Sequence, residues 1–215
     1  MWMESVFTLE EESVEVKGYV VPYDLPSENV FFLRPRDGET EDERKKRESI
    51  RDYVRAKRVQ ATGYLHSLGV LATNSVVLVP ASRVEKIDET VKKVQKIYEE
   101  VNKKLLKEGY HTIGMPIIKK IPMVQTQVIG FKELAERQLK TKLDKKIDQI
   151  ANIIQKIQEG VEEGKAKKIR YNLNRTKKEL ENLEEIAEEL GIEVSTQFAL
   201  LGEMINQAIK TLEGM

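Results

Sequence analysis

The chain has 215 residues, with 36 basic and 36 acidic side chains and no cysteine. A neutral total removes any general attraction to nucleic acid, membranes or acidic substrates, so a site for a polyanion has to be a local patch. The lack of cysteine excludes disulfides, thiol catalysis and sulfur-ligated zinc, while 40% apolar content can supply a real core.

The opening residues, MWMESVFTLEEE, have neither a basic start nor an apolar run, so no signal peptide is read there. Nothing along the chain is long enough to span a bilayer, and a cytoplasmic protein without a membrane partner is expected. Charged residues make up 33% of the chain, mostly Lys and Glu, a composition that leans toward a thermophile.

VEVKGYVVP (Val14 to Pro22) and NVFFLR (Asn29 to Arg34) alternate with period two around a polar, proline-containing stretch, which predicts a strand pair. The run DGETEDE leads into a long helix from about Thr40 to Leu68. There Thr40 and Glu43 have the spacing of a capping box, and Gly69 suits the end. SVVLVP (Ser75 to Pro80) is a further, well-buried strand. A second helix follows, with Ser82 as cap, Glu85 completing another capping box and Gly109 closing it. Thr112 to Val128 is β-prone but carries Pro116 and Pro122, each of which removes a ladder donor. An edge strand, or a hairpin turning near Lys119 and Lys120, is expected.

After Gly130 the period changes. Leu143, Ile147, Ile150, Ile154, Ile157 and Val161 recur at alternating spacings of four and three, as in a coiled-coil seam. Ile169, Leu173, Thr176, Leu180, Leu183, Ala187 and Leu190 repeat the pattern beyond a turn between Gly160 and Gly164. Phe198, Leu201, Ile205, Ala208 and Leu212 stripe a last helix. These helices can close into a bundle within one chain or join chains into a homo-oligomer. The fold class is therefore α+β. A small antiparallel or mixed sheet of about four strands is covered by two long helices in residues 1–128, and a helical coiled-coil region occupies residues 129–215.

Five arginines, Arg44, Arg47, Arg51, Arg55 and Arg58, stand in a row along the first long helix, within roughly a quarter of its circumference. Seven of the chain's eleven arginines lie between Arg34 and Arg58, and arginine presents a permanently charged fork suited to phosphate oxygens. Chemistry of other kinds is missing from the sequence. No phosphate-cradling glycine loop occurs, and the two histidines, His66 and His111, lack the paired spacing of a zinc site. Asp37 to Glu43 lacks the ligand pattern of a calcium loop. No enzyme, metal or cofactor is expected.

Single-strand binding needs cations along the backbone and flat side chains on which bases stack. If the helices cover the Val14 and Phe31 side of the strands, then Lys17, Tyr19, Phe32, Arg34 and Arg36 share the open face beside the arginine row. The plainer alternative is a helix boundary at which arginine stems cover apolar neighbours.

Two long helices against a small sheet rich in arginine and aromatics, with RAKRVQATGYLHSLGVLATNSVVLVP at its centre and helices after it, resemble the archaeal ThermoDBP-related single-stranded DNA-binding proteins. The resemblance spans residues 1 to about 128. It implies a single-strand binder without the OB fold that assembles into dimers or tetramers, the C-terminal helices looking like that group's variable oligomerisation parts. The expected function is non-catalytic binding of single-stranded DNA or RNA. The alternative is an assembly protein whose heptads join copies of the chain and whose N-terminal domain docks another protein.

Overall fold

The structure, a computed structural model, describes residues 16–123 and 125–213. Val14, with the rest of the first fifteen residues, lies outside the described residues. In chain order the elements are β1 (Gly18–Asp24), α1 (Glu41–His66), β2 (Val70–Thr73), β3 (Val76–Pro80), α2 (Val84–Lys107), β4 (Ile117–Ile118), β5 (Ile121–Met123), α3 (Gln125–Gln158), α4 (Glu163–Glu189) and α5 (Ser195–Glu213). The sheet has five antiparallel strands. They are ordered β2, β3, β1, β4, with β5 also on β1.

Alternation along β1 to β3 decides the layers. Val20, Val70, Ala72 and Leu78 point to one face and pack with α3, α4 and α5. Val21, Val77 and Val79 point to the other and pack with α1 and α2. Both faces are thus covered, and the sheet is the middle of three layers. The expectation of one open sheet face is overturned here. The sequence pattern treats the C-terminal helices as a separate region, whereas α3 and α4 lie against β2 and β3. Gly18 and Gly69 allow the tightest approaches, since a Cβ on them would lie 2.8 Å from the Val79 carbonyl oxygen and 1.8 Å from that of Leu78.

The heptad rows lead where their period indicates. Leu143, Ile150 and Ile157 on α3, Leu173 and Leu180 on α4, and Leu201, Ile205 and Ala208 on α5 are all buried in one cluster. That seam closes within a single chain. Leu134, Tyr171 and Leu200 are the large apolar side chains on these helices that stay exposed among the described residues.

Several local expectations change. The capping box at Thr40 is present, with Glu43 N–H donating to the Thr40 hydroxyl and Thr40 N–H donating to the Glu43 carboxylate. Ser82, by contrast, does not cap α2; its hydroxyl donates to Glu189 of α4, and the helix starts one residue later with Arg83 as an N-cap that makes no side-chain bond. The Arg83 guanidinium reaches Asn182 and Glu185 at 3.0 Å each and ties the start of α2 to α4. Gly69 ends no helix, because α1 stops at His66. Left-handed glycines close α2 at Gly109 (φ 83°) and α4 at Gly191 (φ 65°), each with a six-to-one bond from the next residue, Tyr110 to Leu105 and Ile192 to Ala187. The strand β2 was hidden in an apolar stretch ahead of SVVLVP. Of the two forms expected for Thr112 to Val128, the edge strand is the one present: β4 and β5 run in one register antiparallel along β1, interrupted at Lys119 and Lys120, and there is no hairpin between them. The chain turns helical at Gln125 rather than after Gly130.

Candidate nucleic-acid interface

The segment expected to be a strand, Asn29 to Arg34, is instead a loop crossing α1. Phe31–Leu33 form one turn of 3-10 helix, in which successive side chains diverge by a third of a turn rather than alternating. Leu33 is fully buried among Ile50, Val54, Val101 and Leu105. Pro35 favours extended backbone at the residue before it, and Arg34 duly ends the turn at φ −81°, ψ 153°. The loop thereby closes the ends of α1 and α2 that project past the sheet.

The arginine row is what fastens this loop. Arg47, only 3% exposed, holds the Glu39 carboxylate in a fork, with Nε at 2.8 and 3.1 Å and Nη2 at 3.0 Å. Arg51 donates to Asn29 at 3.3 Å. Arg55 donates to buried Glu28 at 3.2 Å, and Arg58 stands 3.9 Å from the other Glu28 oxygen. Arg44 pairs with Glu41 on its own helix at 3.0 Å. A planar fork that stays charged when buried explains why this row is arginine in a chain rich in lysine. Tyr98 adds a further tie. Burial pushes its phenol up to about 12, so the hydroxyl remains a donor to the Pro26 carbonyl at 2.8 Å.

The electrostatics follow. Burial works to raise the Glu28 carboxyl, but its own backbone N–H, the Arg55 hydrogen bond and the charges of Arg55 and Arg58 together hold it below the ordinary carboxylate value. The Arg47 hydrogen bond is the main cause that lowers Glu39. A depressed folded-state pKa contributes stability above the unfolded value and loses it as pH falls through the folded one. Thermal unfolding checks this. The gap in Tm between the parent and Glu28→Gln is expected to be widest above pH 5 and to shrink as pH drops below about 4.5, where the parent carboxyl also becomes neutral.

The remaining expected site residues are scattered. Tyr19 is half-buried in the α1 and α2 face of the sheet, not on an open one, and Lys17 lies before β1 at the sheet's other end, its N–H bonded to Met123. Phe32 is half-buried. Its ring tilts against Tyr110 at 6.4 Å and meets His111 edge-on at 5.7 Å. On this loop the aromatic left in the open is Phe31, 84% exposed.

Arg34 and Arg36 follow that ring in the chain, three and five residues on. Both are exposed, and neither has a carboxylate within ion-pair distance among the described residues. Arg36 folds back toward the Phe32 carbonyl at 3.5 Å. Beside them lies a polar groove of about 430 Å³ lined by Arg36, Glu39, Glu43, Lys46 and Tyr110. Its carboxylates are already engaged, Glu39 by Arg47 and Glu43 by Thr40. The region thus offers a presented ring and two exposed guanidiniums, Arg36 bonded to the Phe32 carbonyl and acting electrostatically on Glu39 and Glu43, with a polar groove next to Arg36.

The partners Glu28, Asn29 and Glu39 were missed from sequence. Their signal is faint: Glu28 and Asn29 stand three and two residues before the Phe31–Phe32 pair and Glu39 seven after it, in a stretch broken by Pro26, Pro35 and Gly38. Among the described residues no three His, Asp or Glu side chains are grouped to hold a metal ion, and no helix is long and apolar enough to cross a membrane. No family model, curated protein or solved structure matches this chain.

Proposed function

We propose that this protein binds single-stranded nucleic acid, without sequence preference, at the Phe31 turn. The observation that carries the reading is the Phe31 ring, 84% exposed on a loop fastened by Arg47, Arg51, Arg55 and Tyr98, with Arg34 and Arg36 exposed shortly after it in the chain and in no ion pair among the described residues. A large ring facing water gains nothing from burial within its own chain, whereas a fixed ring is a stacking platform that loses little entropy when a base lands on it. Arg34 and Arg36 supply the phosphate contacts. Arg47, Arg51, Arg55 and Arg58 act by holding the loop.

Fluorescence anisotropy with a labelled single-stranded oligonucleotide tests this. Phe31→Ala is expected to cost about 1 to 3 kcal/mol at fixed salt. Arg34→Gln with Arg36→Gln is expected to flatten the salt dependence by about 1.4 log units, for two lost contacts to a single strand. Unchanged affinity and slope in both variants would remove the site. A duplex of the same length, whose bases are not free to stack on a ring, is expected to bind more weakly than the single strand.

A further inference from the structure

A second site stands at the opposite end of α1 from the arginine row. There the end of α1, the start of β2 and the facing sides of α3 and α4 leave two adjoining cavities of about 300 and 200 Å³, which share Gly69, Lys142 and Leu183 in their walls. Their floor is aliphatic: Leu139, Leu143, Leu180, Leu183 and Ile186. Their rim is cationic, with Lys142 and Lys146 one turn apart on α3, Lys145 beside them, and Glu179 of α4 as the acidic group in the lining. None of the three lysines has an ion-pair partner among the described residues.

We propose that this groove binds a small carboxylate with an apolar body, its tail on the leucine floor and its charge between Lys142 and Lys146. The arrangement matches ligand sites in general, where an apolar lining supplies affinity and a few polar groups fix orientation. Two further observations support it. Gly63 lines the groove within α1, and a Cβ built on it meets no atom within 4 Å. Glycine inside a helix costs about 1 kcal/mol relative to alanine, so this position gives up helix stability at a place where a side chain has room, and the wall stays open.

The second observation concerns His66 on the same wall. Tyr23 donates its one hydroxyl hydrogen to the Asn74 carbonyl at 2.7 Å, so His66 Nε2, 2.7 Å from the Tyr23 oxygen, carries the hydrogen of that contact. The ring is thereby fixed in place. Lys142 is exposed as a residue, but desolvation of its ammonium at the groove and then the charge of Lys146 push it toward the neutral form, with Glu179 pulling the other way. Burial and then the charge of Lys142 likewise hold the His66 ring below its ordinary value. An anion at the rim would offset the cation–cation part of both shifts.

The test is a calorimetric titration of the full chain with decanoate, alongside decanol and inorganic phosphate as probes of tail and charge alone. Saturable binding of one decanoate is expected, with decanol at least about tenfold weaker because it lacks the charge-assisted bond and phosphate at least about tenfold weaker because it buries no tail. Lys142→Gln with Lys146→Gln is expected to weaken decanoate by about tenfold or more, and Lys142→Arg with Lys146→Arg to restore it. Gly63→Leu, which places a side chain in the open wall, is expected to fold with an equal or higher Tm and to abolish binding. The proposal is overturned if decanoate does not bind, if decanol binds as tightly, or if binding survives Gly63→Leu or the double glutamine variant.

Discussion

A chain ending after Met123 is expected to lose its cooperative fold, although it contains the whole sheet and both helices of the first layer. Removing α3 to α5 strips cover from Val20, Val70, Ala72, Leu78 and Met123, all now buried. Exposing a large aliphatic side chain costs about 1.5 to 3 kcal/mol, and four of these five are large. Together they rival the whole net stability of a typical domain, about 5 to 15 kcal/mol. Circular dichroism on heating should show a broad, non-cooperative change for the shortened chain, with dye binding to exposed apolar surface and aggregation in light scattering. A sharp transition close to that of the full chain would mean that the C-terminal helices do not serve as the third layer.

Gly69→Ala is the point substitution expected to cost most. A Cβ at this position would sit 1.8 Å from the Leu78 carbonyl oxygen and 2.8 Å from its carbon. Those are backbone atoms of β3, which is paired on both sides, to β2 and β1. No side-chain rotation can relieve the clash, so the β2 entry has to shift and its pairing with β3 loosens. A loss of about 3 kcal/mol or more is expected in chemical denaturation, at the upper end of what overpacking does. Gly63→Ala, whose Cβ meets no atom within 4 Å, is the natural control and should raise stability by about 0.5 to 1 kcal/mol.

Much of the fold was legible because periodicity reports burial directly. The three heptad rows named Leu143, Ile150, Leu173, Leu201 and Ile205 before any coordinates, and the capping box at Thr40 fixed the start of α1. What periodicity does not carry is destination. The seam of α3 to α5 reads the same whether it meets its own chain, a second copy or, as here, partly a sheet. NVFFLR mimicked a strand because four of six residues are apolar or aromatic, and only Leu33 among the three central ones is buried. The arginine row was visible, but its partners were not, since Glu28, Asn29 and Glu39 lie 8 to 30 residues away and meet it only once the loop crosses α1. A row of identical cations reports a shared task; whether that task faces outward depends on contacts that spacing does not encode.

The direct measurement is a map of backbone amide NMR shifts as a single-stranded oligonucleotide is added. The largest changes are expected at Phe31, Arg34, Arg36 and His111, with small ones along the outer side of α1 beyond Arg47. Changes centred on Arg51 to Arg58 or on the C-terminal helices, or none at saturating oligonucleotide, would contradict binding at the Phe31 turn.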